Sequence, residues 1–239
     1  MIEKVAKLIK AGADIQIEIN EAQGEKLIKY MEEILEINKQ INLTRITEED
    51  EFIKLHLLDS LTLLKYIDNP CASILDVGTG GGFPGIPLAI MLADAHITLM
   101  DSTKKKLRVV ENIAKNLEID NIEMLHGRAE EFGQMRGHRA CYDVVTSRAV
   151  ANLTLLSEYC LPLVKVGGIF LPMKGREYEN ELAEAEKPIQ ILGGEIKTVE
   201  ECLLQSDWVH VIIVIEKSRK TPGFYPRING RIKKEGFPV

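Results

Sequence analysis

No apolar run in this 239-residue chain approaches the ~20 residues that a membrane-crossing helix requires. The first residues, Met-Ile-Glu-Lys, mix charged with apolar side chains, so no secretory signal is expected. Cysteine is scarce: Cys71, Cys141, Cys160 and Cys202 stand far apart and form no CxxC pair. That excludes a disulfide scaffold or a paired-thiol motif and fits structural thiols in a reducing compartment. The five histidines are scattered without metal-ligand spacing, so no metal is expected. Repeats and low-complexity tracts are absent. These absences describe a cytoplasmic protein without membrane association. Hydrophobic residues at 45% and charged residues at 28% are the balance of an ordinary globular protein. The length suits one α/β domain with an extension, or two small domains.

The net charge of −6 argues against non-specific nucleic-acid binding, which depends on neutralising phosphates. The average hides an asymmetry. From residue 217 onward the chain carries Lys217, Arg219, Lys220, Arg227, Arg231, Lys233 and Lys234 against the single acid Glu235. A basic tail on an acidic body is either a solvated, solubilising tail or an anchor for phosphate.

The first seventy residues read as helical. Leu27, Ile28, Met31, Ile34 and Leu35 repeat at helical spacing with Glu and Lys opposite. After a break at 42–47, Thr47 is the expected N-cap of a helix carrying Phe52, Leu55, Leu58, Leu61, Leu64 and Tyr66 and ending at Asn69-Pro70. From residue 73 the period changes. Short apolar runs at 74–77, 97–100, 122–125, 144–146 and 169–173 alternate with helical stretches at 86–92, 104–117, 153–164 and 178–191, with a short helix after the third run. Strands apolar on both faces, separated by helices, predict a parallel sheet covered on both sides. Two last strands, 195–203 and 208–216, are joined by a short loop around Gln205-Ser206-Asp207 and are expected to pair antiparallel. The expected organisation is a helical extension over 1–70, an α/β domain over 71–216, and a basic tail over 217–239 packed on or near it.

The densest signal is Asp76-Val77-Gly78-Thr79-Gly80-Gly81-Gly82-Phe83-Pro84-Gly85, with five glycines in the eight residues 78–85. Glycines here allow a sharp turn and let a ligand approach backbone N–H groups at a helix start. Gly80, Gly82 and Gly85 satisfy G-x-G-x-x-G, and Asp101 lies nineteen residues past Gly82, a formal dinucleotide fingerprint. Asp76 argues for a different ligand. A carboxylate at the end of the first strand repels a pyrophosphate and suits an ammonium group. S-adenosylmethionine carries an ammonium and a sulfonium and no phosphate, while its ribose still needs an acid such as Asp101 at the tip of the second strand. His96 and His126 read as packed or surface residues, and Cys141 and Cys160 as inert thiols. The Lys104-Lys105-Lys106-Arg108 cluster fits a phosphate contact or a solvated helix face equally.

Further motifs stand in order along nearly the whole chain. They are Ile41-Asn42-Leu43-Thr44, His56, Asp59-Ser60-Leu61, the run from Asp76 through Gly-Phe-Pro-Gly-Ile-Pro-Leu to Ala89, and Asp101-Ser102 with Lys105-Lys106. Gly127-Arg128-Ala129-Glu130, Ser147-Arg148-Ala149-Val150, Pro172-Met173-Lys174-Gly175, and Thr221-Pro222 with Tyr225-Pro226-Arg227 complete the set. In these the chain resembles the glucose-inhibited division protein B family, which methylates guanine N7 in small-subunit (16S) ribosomal RNA. The resemblance implies a Rossmann-like class I methyltransferase fold: a seven-stranded, mostly parallel sheet with one antiparallel strand. It implies that Gly78, Gly80, Phe83 and Asp76 meet S-adenosylmethionine at the glycine turn and that Asp101 and Ser102 hold its ribose. Ala129 and Glu130 would line the adenine, and Arg148 would belong to the same pocket. Arg128, Lys174 and Asn42 match polar positions near the RNA entrance, with Arg148 and Lys174 placed to fix the target base.

Guanine N7 has a free lone pair and loses no proton on methylation, so no general base is expected. The chain lacks the Asn/Asp-Pro-Pro-aromatic tetrapeptide used on exocyclic amines. Alignment and electrostatics would then carry the reaction. The expected partner is 16S ribosomal RNA or the small-subunit particle, bound by a monomer. The alternatives are a small-molecule methyltransferase, a non-catalytic cofactor-binding module on the ribosome, and an NAD-dependent oxidoreductase.

Overall fold

The computed structural model describes residues 1–205, 208–227 and 236–237. The chain opens with two helices, α1 (Ile2–Asp14) and α2 (Glu21–Asn38). α2 starts in a reciprocal cap. Asn20 Oδ1 accepts from the Gln23 amide at 2.9 Å, and Gln23 Oε1 accepts from the Asn20 amide at 3.0 Å. Both bonds satisfy N–H groups that a first helical turn leaves open. The stripe Leu27, Ile28, Met31 and Ile34 is fully buried, as its spacing predicts.

The next helical stretch departs from expectation. Thr47 does not cap it; α3 (Glu49–Phe52) begins after Glu48, and the segment changes geometry three times. It widens to π-helix over Ile53–Leu58, returns as α4 (Asp59–Leu61), and tightens to 3₁₀ over Thr62–Tyr66. Hydroxyls bond backward here: Ser60 Oγ donates to His56 O and Thr62 Oγ1 to Asp59 O, each at 2.5 Å. Such side-chain bonds compete with the regular ladder, and a π segment shifts which residues share a face.

The sheet comprises β1 (Ser73–Val77), β2 (His96–Asp101), β3 (Ile122–His126), β4 (Tyr142–Arg148), β5 (Val164–Lys174), β6 (Gly194–Gln205) and β7 (Trp208–Lys217). Their spatial order is β3-β2-β1-β4-β5-β7-β6. The first five pair in parallel, and β7 runs antiparallel between β5 and β6. The intervening helices are α5 (Gly85–Met91), α6 (Lys104–Asn116), α7 (Ala129–Phe132), α8 (Leu153–Cys160) and α9 (Tyr178–Ile191). The expected α/β class, the seven strands and the antiparallel final pair are all present, while the turn at 206–207 lies outside the described residues.

Two apolar clusters flank the sheet. One joins α2 and the 52–63 segment to Leu88 of α5 and Leu107 of α6, so residues 1–70 share a core with the sheet domain. The other lies under α8 and α9 and includes Tyr225.

Residues 217–227 of the basic tail pack against the body, while Arg219 and Lys220 are exposed. Lys217 still belongs to β7 and is 1% exposed, donating to Leu161 O at 2.5 Å, to Leu192 O at 3.1 Å and to the Thr221 hydroxyl. Burial, with Arg139 nearby, lowers its pKa to about 7. Arg227 grips the buried Glu158 through its backbone N–H, Nε and Nη2 at 2.8, 2.9 and 2.7 Å. Arg139 adds four bonds to the carbonyls of Gly133, Thr221, Pro222 and Tyr225. These cations therefore fasten residues 217–227 to the body rather than face solvent. Arg231, Lys233, Lys234 and Glu235 fall outside the described residues.

Candidate functional site

The strand order reverses between β1 and β4, and open α/β sheets bind ligands beyond the carboxyl ends of strands at such a point. The glycine turn lies there. Gly78 and Thr79 donate to Met100 O at 2.8 and 2.9 Å, tying the turn to β2. Gly78, Gly80 and Gly82 have φ of 74°, 57° and 86°, which glycine adopts without penalty. α2 supports the turn from outside: the buried Tyr30 hydroxyl donates to Gly81 O at 2.7 Å, and a Cβ on Gly82 would stand 2.2 Å from that hydroxyl.

Asp76 is wholly buried beneath the turn. Its Oδ2 accepts from Thr79 Oγ1 at 2.7 Å and from the Gly85 amide at 2.9 Å, whereas Oδ1 has no partner among the described residues. Burial raises its pKa to about 6, against the opposing pull of the Thr79 and Gly85 bonds. Asp76 is not among the residues lining the cavities beside the turn.

Two cavities meet at Gly78. One, of about 550 Å³, is lined by Gly78, Asp101, Ser102, Ala129, Glu130 and Tyr159 among others. It gathers five of the expected cofactor residues. Asp101 spans the second strand and the turn: Oδ2 accepts from the Gly80 amide at 3.0 Å, and Oδ1 from the Thr103 amide at 2.7 Å. Glu130 is nearly buried, and Arg128, largely exposed, places Nη1 3.8 Å from its Oε1. The wall carries Asp101 and Glu130 beside Lys106, Arg128, Ser102, Thr103 and Asn152, and the unpartnered Asp76 Oδ1 lies below the turn; the two carboxylates can accept from a ribose and an adenine edge.

The second cavity, of about 620 Å³, also borders Gly78 and is lined by Leu43, His56, Phe83, Lys106, Arg148 and Lys174, and by residues 175–177, Glu181 and His210. Here Phe83 and Arg148 face away from the first cavity, a placement the motif order does not reveal. His56 stacks on Phe83 with centroids 4.6 Å apart and planes 11° from parallel. The Arg148 guanidinium lies 5.6 Å from the same ring centroid.

Arg148 is held by a network invisible to periodicity. Nη1 donates to Leu55 O at 2.8 Å and to Asp59 Oδ2 at 2.9 Å, and Nη2 bonds His56 Nδ1 at 2.7 Å. Asp59, fully buried, also takes His210 Nδ1 on its other oxygen. Arginine can only donate, so His56 Nδ1 is the acceptor. Its Nε2 then carries the proton and donates to Thr44 Oγ1 at 2.6 Å. Burial, aided by the charges of Arg148 and His210, lowers the His56 pKa to about 3, which keeps this ring neutral. His56 and Asp59, three apart on one helical stretch, were a signal for a shared face; nothing local marked His210.

Lys174 is likewise braced, donating to Ala151 O at 2.8 Å and pairing with Glu181 at 2.6 Å. Asn42 is exposed and outside both linings. Its loop is held instead by Asn38, whose Oδ1 accepts from the Leu43 and Thr44 amides at 2.7 and 3.0 Å. Lys106, on α6, is the only member of the basic cluster in either lining, and it borders both cavities. Among the described residues no His, Cys, Asp or Glu group is arranged to hold a metal, and no helix is long and apolar enough to cross a membrane.

Residues 23–209 match the family described as GidB, rRNA small subunit methyltransferase G. The chain belongs to that family. It is 42% identical over 227 residues to the ribosomal RNA small subunit methyltransferase G of Clostridium novyi (strain NT), covering 94% of this chain and 93% of that one. The protein of the same name from Alkaliphilus oremlandii (strain OhILAs) is 44% identical over 232 residues, covering 95% and 97%. Among solved structures, the O-methyltransferase from Bacillus cereus in complex with SAH shares the fold with a TM-score of 0.58 at 16% identity, over 91% of this chain and all of that one. M. jannaschii TYW2 in complex with AdoMet aligns with a TM-score of 0.54 at 14% identity, over 67% of this chain and 76% of that one. The GidB family is thus the one its motifs resemble, and its fold is that of methyltransferases.

Proposed function

We propose that the protein transfers a methyl group to N7 of a guanine in 16S ribosomal RNA, with the donor in the Asp101–Glu130 cavity and the base in the Arg148–Lys174 cavity. It is a methyltransferase that uses S-adenosylmethionine and acts on small-subunit ribosomal RNA. The observation that carries the site assignment is the meeting, at Gly78, of a nucleoside-sized cavity bearing Asp101 and Glu130 with a second one walled by Arg148 and Lys174.

Bound S-adenosylmethionine supplies an electrophilic methyl group on a positively charged sulfur. The chain's residues supply the rest. Asp101 and Ser102 hold the ribose hydroxyls, and the Ala129 amide with the Glu130 carboxylate reads the adenine edge. Gly78 and Gly80 keep the backbone low between the cavities, and Asp76 sets negative charge beneath the turn. Phe83, clamped among Tyr30, Phe52 and His56, gives the turn a rigid apolar flank. Arg148 and Lys174 are each held by bonds within the protein and act as braces of the base cavity, while Arg128 and Asn42 stand exposed for RNA.

Guanine N7 attacks with its own lone pair, so no side chain must take a proton. His56, neutral with both nitrogens bonded, is placed to hold Arg148 rather than to act as a base. Orientation and charge therefore carry the rate. A base must leave its stack to enter, which favours a single-stranded loop of the RNA. We place the enzyme in the cytoplasm as a monomer, acting on the RNA or on the assembled particle.

The test is methyl transfer from labelled cofactor to 16S RNA and to small-subunit particles, followed by mapping of the modified nucleotide. Label on N7 of one guanine is expected. Label on an exocyclic amine or a carbon, or on a small molecule alone, would overturn the assignment.

A further inference from the structure

The base cavity is lined by eight titratable side chains: His56, Lys106, Arg148, Lys174, Arg176, Glu177, Glu181 and His210. Six of them are committed within the protein. His56, Arg148 and His210 share the Asp59 network, Lys174 and Glu181 pair with each other, Glu181 also accepts from the Leu153 amide at 2.6 Å, and Arg176 has a partner as well. Lys106 and Glu177 are the two without a hydrogen bond or ion pair to any described residue. Glu177 stands exposed at the N-cap of α9, and its side chain makes no cap bond.

Their places differ in a useful way. Lys106 borders both cavities and so stands at the junction over Gly78, where the reacting atom must lie. Glu177 borders the base cavity alone, on the β5–α9 connection. Guanine presents a matching asymmetry. Beside N7 it carries the acceptor O6, and on its far edge it carries the donors N1–H and N2–H₂. Adenine reverses this, with a donating amine near N7 and an acceptor at N1. A cation at the junction and a carboxylate farther out accept guanine and oppose adenine at both points.

We propose that Lys106 and Glu177 are the specificity-determining residues for the target base, Lys106 donating to O6 and Glu177 accepting from N1–H and N2–H₂. This rests on the reading of the protein as a guanine-N7 methyltransferase. The braced residues around them shape the cavity; these two read its occupant. Discrimination at such charged contacts is ~10- to 100-fold.

The experiment uses 16S RNA ligated so that the mapped target position holds guanine, inosine, which lacks the N2 amine, or 2-aminopurine, which lacks O6 and N1–H. It is presented naked or assembled, in whichever form the wild-type enzyme methylates. Single-turnover rates are measured at saturating S-adenosylmethionine for wild type, Glu177→Ala, Glu177→Asp, Lys106→Ala and Lys106→Arg. Wild type should prefer guanine to inosine by about tenfold or more. Glu177→Ala should lose that factor on guanine and treat the two bases alike, with unchanged cofactor affinity reporting an intact fold. Lys106→Ala should lose the part of the preference for guanine over 2-aminopurine that O6 contributes while keeping the part that N1–H contributes through Glu177, and Lys106→Arg should restore some of the loss. If Glu177→Ala still discriminates against inosine as wild type does, or methylates guanine at the wild-type rate, the proposal falls while the guanine assignment stands. If the wild-type enzyme places its methyl elsewhere than guanine N7, the functional reading falls and the base reader with it.

Discussion

Asp101 and Asp59 are both nearly inaccessible carboxylates beside neighbouring cavities, and they are held in opposite ways. Asp101 is served by its surroundings in sequence and by the adjoining turn, the amides of Thr103 and Gly80. Asp59 is served by side chains from the far ends of the fold, Arg148 of β4 and His210 of β7. The cofactor side is thus a local construction of strand tips and turns. The proposed base side is assembled from the N-terminal helices, strands β4, β5 and β7, α6 and the β5–α9 connection. This difference predicts that damage to Asp59 appears first in stability, and damage to Asp101 first in cofactor affinity.

The largest effect should come from Asp59→Ala. It leaves Arg148 and His210 facing each other without their shared carboxylate, and removing one partner of a buried pair costs ~3–5 kcal/mol. Urea unfolding measures it, with cofactor affinity of the folded fraction remaining near wild type. Comparable losses of stability and of cofactor affinity would erase the contrast.

Asp101→Ala is the mirror experiment. Charge-assisted bonds contribute ~1.5–3 kcal/mol, so S-adenosylmethionine affinity should fall by at least about tenfold in calorimetry, with a smaller loss in unfolding free energy.

Asp76→Asn separates charge from shape. The amide oxygen can still accept from Thr79 and Gly85, so the turn should survive and the protein should be as stable as wild type or more so. Asp76 ionises near pH 6 in the folded chain against an ordinary 3.8. The folded state therefore keeps a proton that the unfolded chain has released. This group's contribution to unfolding free energy falls as pH rises from about 4 to about 6 and is level above that. In Asp76→Asn that component should vanish, measured by unfolding across the window. Wild-type cofactor affinity should weaken as pH drops through about 6, while that of Asp76→Asn, weaker at neutral pH, should stay flat.

Tyr30→Phe probes the weakest link. Losing the bond to Gly81 O should cost about 0.5–1.5 kcal/mol, read as a small drop in Tm, and should loosen the cofactor side rather than the base side. A larger effect on RNA affinity than on cofactor affinity would count against the placement of the turn.

Much of the cofactor side was legible in the residues. Glycines at 78, 80 and 82 need positive φ whatever surrounds them, and Asp101 ends a strand whose apolar pattern marks it. Asp76 pointed to a cationic donor, although its side chain lies under the turn and outside the lining. The strands and helices from residue 73 onward followed from the change in hydrophobic period. The stretch over 47–66 was legible as helical, but its N-cap and its passage through π and 3₁₀ geometry were not, since hydrophobic spacing does not encode them. The tail was expected on or near the domain, but a count of cations could not tell Lys217 and Arg227, each satisfied inside, from the exposed Arg219 and Lys220.

What the sequence by itself determined is whatever depends on near neighbours along the chain: the glycine turn, the acid at the tip of the second strand, the alternation of strands and helices, and the family those motifs mark. Only the tertiary structure decided which polar groups spend their bonding capacity internally. Arg148, Lys174 and Lys217 are all cations in the sequence, but Asp59, Glu181 and three acceptors around Lys217 engage them from 89, 7 and up to 56 residues away. Hydrogen bonds and desolvation act over a few ångströms of space, however much chain lies between the partners. That is why the proposed base readers, Lys106 and Glu177, differ from the cavity's other charges only in space and not in sequence.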